Sequence, residues 1–109
     1  MQRAFFRMKL NPGCEEHYDR NHRAVWPTVL EAIERCGVRE YSIFRDGLEL
    51  FFYIETENFL ESMRILNSDP EHTRWGETYA FMFESTANPT TDASGAGLIP
   101  EVFRFEAGP

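Results

Sequence analysis

Two alternating runs, Glu40–Arg45 and Leu48–Ile54, flank Asp46 and Gly47, and this pairing constrains the fold more than any other stretch. Tyr41, Ile43 and Arg45 alternate with Glu40, Ser42 and Phe44, and Leu48, Leu50, Phe52 and Ile54 repeat the period beyond the turn. Asp-Gly tolerates the positive φ of a tight turn, so the two runs form an antiparallel hairpin. A hairpin buries little alone; the remaining chain must supply further strands and a covering layer.

Arg3–Leu10 alternates as well, with Ala4, Phe6, Met8 and Leu10 on one face, and gives a first strand. Asn11, Pro12 and Gly13 turn the chain into a helix begun by Glu15 and Glu16, whose charges favour a helix N-terminus. Pro27 lacks an amide donor and biases Trp26 away from helical geometry, so a kink or break falls there. The helical pattern resumes through Val29, Ile33 and Cys36, and Gly37 provides a left-handed stop. Thr56 is read as the cap of a helix carrying Phe59, Leu60, Met63 and Leu66. A second helical piece follows Ser68, Asp69 and Pro70 and bears Trp75, Tyr79, Met82 and Phe83. Residues 85–97 read as a loop without regular structure, and 100–106 alternates as a last strand.

Strand, helix, strand, strand, helix, strand is the order of an α+β ferredoxin-like βαββαβ sandwich over residues 1–109: a four-stranded antiparallel sheet with helices on one face. The opposite face, carrying Phe5, Phe51 and Tyr53, predicts a homodimer that covers it.

The formal charge of −7 argues against a nucleic-acid backbone or an anionic membrane as partner and favours a neutral small molecule. No apolar run approaches the roughly 20 residues of a membrane span, and the start of the chain lacks a signal-peptide pattern, so a cytoplasmic location is the default. Cys14 and Cys36 are far from any CxxC spacing and read as reduced thiols. His17, His22 and His72 do not form a metal-ligand pattern, so metal binding is not expected, and without a dinucleotide or phosphate-binding glycine motif neither a dinucleotide fold nor a P-loop is indicated.

Acid–base chemistry remains. Tyr18 and His22, four apart, lie above one another on a helix face, with Trp26 one turn further. An imidazole with a free pKa of about 6.5 exchanges a proton readily near neutrality. Trp75 suits either stacking on a sugar ring or core filling, Tyr41 either a ligand hydroxyl or a packed position, and Trp26 reads as a packing anchor at the break.

The spacing Tyr18-x3-His22-x3-Trp26-Pro27, with Glu16 before it and Gly37–Tyr41, Trp75 and Glu101–Phe103 after it, resembles the L-rhamnose mutarotase family over nearly the whole chain. The resemblance implies a dimeric, α/β-barrel-like ferredoxin-like fold and cofactor-independent interconversion of the α and β anomers of a 6-deoxy-L-hexose pyranose. It implies His22 as proton donor to the ring oxygen, with Tyr18, Tyr41 and Trp75 binding the sugar. Gly76 stands where the rhamnose enzymes carry a second tryptophan, which brings L-fucose beside L-rhamnose as a candidate substrate. A non-catalytic sugar-binding or regulatory module is the alternative on the same scaffold. A cofactor-free monooxygenase is a third reading.

Overall fold

The computed structural model describes residues 1–84, 88–90 and 97–108. Strand β1 (Gln2–Lys9) is followed by helices α1 (Glu15–His22) and α2 (Pro27–Arg35), strands β2 (Val38–Asp46) and β3 (Glu49–Thr56), and helices α3 (Phe59–Asn67) and α4 (Pro70–Glu77). A short 3₁₀ turn at Ala80–Met82 closes the helical layer. The strands form one antiparallel sheet in the order β1-β3-β2, with Phe6 opposite Phe52 and Ile43 on the other side of Phe52.

The alternation read from the sequence is the burial pattern of β1 and β3, whereas in β2 Tyr41, Ser42 and Ile43 are all half-buried and Phe44 and Arg45 both exposed. Ala4, Phe6, Met8, Leu50, Phe52 and Ile54 are buried against Phe59, Met63 and Leu66 of α3, Ala32 of α2 and Tyr18 of α1. The Phe6 and Phe52 rings stack across the β1–β3 pair at 4.7 Å, a cross-strand contact that fixes register as well as burying area. The hairpin turn comprises Gly47 and Leu48 between the paired Asp46 and Glu49, and only Gly47 has positive φ (+61°). That is the pattern of a II′ turn, one residue later than an Asp-Gly centred turn.

Two expectations are corrected. Thr56 does not cap α3: it is the buried last residue of β3, its hydroxyl donating to the Gly37 carbonyl and sharing a 2.7 Å hydrogen bond with Ser62 Oγ. Asn58 takes the capping role, its side chain accepting from Glu61 N at 3.1 Å. Among the described residues the sheet has three strands, not four. Residues 100–106 join no ladder, and Val102 and Phe103 are 96% and 81% exposed. The tail touches β1 through Ile99 N donating to the Phe5 carbonyl at 2.7 Å and through the Arg3–Glu101 ion pair. Alternation makes a segment suited to a strand; it does not supply the edge that completes one.

The expected loop 85–97 lies largely outside the described residues. Of it, residues 88–90 and Gly97 are described, and Asn67 Nδ2 of α3 donates to the Thr90 carbonyl.

Asn58→Ala removes the α3 cap and is expected to lower unfolding free energy by about 1 kcal/mol in urea denaturation. Thr56→Val, which strands a buried Gly37 carbonyl and Ser62 hydroxyl, is expected to cost about 1–3 kcal/mol. Equal and negligible effects would contradict this account of the β3–α3 junction.

Candidate active site

Pro27 sets the geometry of the site. Trp26, directly before it, is extended (φ −62°, ψ 136°), so α1 ends at His22 and α2 begins afresh at Pro27. Between this corner, the buried sheet face and α4 lies a cavity of about 510 Å³, within the usual range for small-molecule sites. Tyr18, His22, Tyr41 and Trp75 all line it, so four side chains from three separate elements meet where the sequence placed a ligand. Trp26 does not continue the α1 stripe; it meets the Trp75 ring edge-on at 5.4 Å, anchoring α2 to α4.

His22 is the centre of an aromatic cluster. Its ring stacks on Tyr18 at 4.1 Å, as the i, i+4 spacing requires, and meets Trp75 and Tyr79 edge-on at 5.7 and 5.3 Å. Its Nδ1 lies 3.0 Å from the Tyr18 carbonyl, which accepts only, so Nδ1 carries a proton and Nε2 is left for a ligand. Burial lowers the His22 pKa below its ordinary value, partly opposed by the Tyr18 hydrogen bond and the Asp19 charge. The resting imidazole is therefore neutral near pH 7, with Nε2 a proton acceptor.

The phenols are shifted the other way. Burial pushes Tyr18, Tyr41 and Tyr79 upward, so all three are protonated at rest and available as hydrogen-bond donors. Tyr18 is 2% exposed, and its hydroxyl is buried with no hydrogen-bond partner among the described residues. An unpaired buried hydroxyl costs about 1–3 kcal/mol, which a ligand oxygen could recover.

Several lining residues escaped the sequence reading. Asp19 and Arg45 form a two-pronged ion pair at 2.6 and 2.7 Å, tying α1 to β2 and holding the Asp19 carboxyl below the usual carboxylate range. Asp19 adjoins Tyr18 in sequence, but nothing local announces a partner 26 residues away. His72 lines the cavity from the first turn of α4, and burial lowers its pKa. Tyr79, read from the sequence as near the same face as Trp75, was assigned no ligand role there, yet it lines the cavity. Gly76 is half-buried and is not part of the cavity wall; a Cβ there meets nothing within 4 Å, so the flank of α4 beside Trp75 is open. Among the described residues, no group of three or more His, Cys, Asp or Glu side chains is arranged to hold a metal ion.

The profile of the L-rhamnose mutarotase family matches residues 3–105. The chain belongs to that family. It is 48% identical over 81 residues to an L-rhamnose mutarotase of Paraburkholderia phytofirmans, covering 73% of this chain and 76% of that one. It is 32% identical over 108 residues to the L-rhamnose mutarotase of Phocaeicola vulgatus, covering 97% and 100%. The crystal structure of an L-rhamnose mutarotase from Formosa agariphila superposes with a TM-score of 0.73 at 28% identity, over 97% of this chain and all of that one. Tetracenomycin F2 cyclase of Streptomyces glaucescens, at 18% identity and a TM-score of 0.64, shares the fold, covering 99% and 100%.

Because burial lowers the His22 pKa and Asp19 raises it, Asp19→Asn is expected to move the His22 titration, followed by the imidazole Cε1 proton in NMR, further below pH 6.5. A wild-type titration at or above that value would contradict the buried, neutral imidazole.

Proposed function

We propose that this mutarotase-family chain interconverts the α and β anomers of L-rhamnose, with His22 moving the proton and Tyr18, Tyr41 and Trp75 holding the sugar. The observation that carries the reading is the His22 imidazole, tethered through Nδ1 and neutral, inside a cavity with room for a monosaccharide and water. Phenol donors match a polyhydroxyl ligand, and the Trp75 indole offers a flat apolar face to a pyranose.

The chemistry balances with proton transfer alone. The anomeric hydroxyl loses a proton to His22 Nε2 as the bond from the anomeric carbon to the ring oxygen breaks, and the ring oxygen takes a proton from a second acid in the site. The open aldehyde turns about its C1–C2 bond and recloses on its other face by the reverse steps. With Nδ1 protonated and Nε2 free, His22 accepts first, and the imidazolium that this creates is the form in which it donates. Such a group supplies on the order of 10² to 10⁴ in rate, in keeping with a reaction that already proceeds in water.

The working form is a homodimer. On the outer sheet face, Phe5 and Phe51 stack at 6.3 Å beside Phe44, which is 61% exposed, and Tyr53. The exposed tail with Val102, Phe103 and Phe105 adds to an apolar surface that a second copy would cover. No helix among the described residues is long and apolar enough to cross a membrane. Two free cysteines accord with a reducing, cytoplasmic setting.

Saturation-transfer NMR of anomer exchange tests the reaction. Wild type should accelerate exchange of L-rhamnose more than of L-fucose, and His22→Ala should lose about 10²-fold or more of the acceleration. Sugar binding by His22→Ala with undiminished exchange would remove His22 from the chemistry. Binding by wild type without any acceleration would favour the non-catalytic module.

In sedimentation, wild type should run as a dimer and Phe44→Glu as a folded monomer. A monomeric wild type at micromolar concentration would overturn the dimer.

A further inference from the structure

Three phenols line the cavity, from α1, β2 and the turn after α4; the sequence reading assigned ligand roles to Tyr18 and Tyr41 and set the third only near the helical face of Trp75. Tyr79 is the third. Its ring packs edge-on against His22 at 5.3 Å, Trp75 at 5.8 Å and Phe83 at 5.7 Å, and stands nearly perpendicular to Tyr18 at 6.5 Å. The ring is thus fixed by four neighbours. No protein group among the described residues pairs with its hydroxyl, and that oxygen is not sealed from solvent as the Tyr18 oxygen is. Tyr79 borders the same cavity as Tyr18 and Tyr41, so the three phenols share one space.

The reaction needs an acid as well as a base. A neutral imidazole whose Nδ1 proton is committed to the Tyr18 carbonyl begins as the base. Tyr18 stacks on that imidazole at 4.1 Å, whereas Tyr79 packs edge-on with it at 5.3 Å and 61°, and both line the cavity. We propose that Tyr79 is a catalytic residue whose hydroxyl donates to the ring oxygen while His22 Nε2 takes the proton of the anomeric hydroxyl. This rests on the mutarotase reading and assigns that site its acid.

In the opening step the His22 N–H bond forms, the anomeric O–H and C1–ring-oxygen bonds break, and the ring oxygen takes the Tyr79 proton. A sugar alkoxide is a stronger base than a phenolate, so that transfer runs downhill. Imidazolium and phenolate are left side by side as an ion pair. Reclosure reverses both transfers, the ring hydroxyl returning its proton to Tyr79 and the imidazolium its proton to the carbonyl oxygen, so each turnover restores both groups.

Tyr79→Phe deletes the hydroxyl and keeps the ring. The expected result on L-rhamnose exchange is a fall in kcat of about 10²-fold, with KM within about threefold, and retention of the acid limb of the pH profile that belongs to His22. An unchanged kcat, or a rise in KM alone, would overturn the proposal while leaving the mutarotase reading intact. Failure of wild type to accelerate exchange would sink that reading and the proposal with it. Should Tyr79→Phe unfold, fluorotyrosine at position 79 keeps ring and hydroxyl: kcat rising with phenol acidity supports the proposal, and kcat insensitive to it contradicts it.

Discussion

Pro27 cannot donate a backbone hydrogen bond, and the site depends on that single constraint. With Trp26 forced into extended geometry, α1 stops at His22 and α2 leaves in a new direction. A continuous helix would have carried Trp26 along the Tyr18–His22 stripe. The break instead sends Trp26 across to Trp75 and opens the space that the imidazole and the phenols line. A helix C-terminus favours a charged imidazole, yet burial among aromatic rings outweighs it, and the His22 pKa is lowered.

Burial then acts on two kinds of group in opposite senses with one result. It disfavours imidazolium and phenolate alike, leaving a neutral base beside phenol donors. The Asp19–Arg45 pair ties two of the charges lining the cavity to each other and braces α1 against β2, while the third, Arg23, is exposed. The interior is left to weak acids and bases, a setting suited to moving protons between sugar oxygens.

Local periodicity made much of this legible in the sequence. Alternation in Ala4–Leu10 and Leu50–Ile54 is buried as read, because a sheet with helices on one face imposes period two. Tyr18 and His22 meet because i, i+4 neighbours in a helix must. Features that rest on distant partners were not legible: Arg45 reaching Asp19, His72 entering the cavity, and Asn58 rather than Thr56 capping α3, since Thr56 is held by Gly37 and Ser62. Residues 100–106 have the pattern of a strand without a ladder, because pattern specifies a face and not a partner edge. Tyr79 was read near the face of Trp75, but local spacing does not show which cavity such a face meets, and α4 ends at Glu77 between the two.

The most direct test is a crystal structure with L-rhamnose bound. The account places the anomeric and ring oxygens within hydrogen-bond distance of His22 Nε2 and the Tyr79 hydroxyl, with the Tyr18 phenol newly paired to a sugar oxygen. A sugar seated elsewhere, or one that leaves His22 Nε2 out of reach of both reacting oxygens, would contradict it.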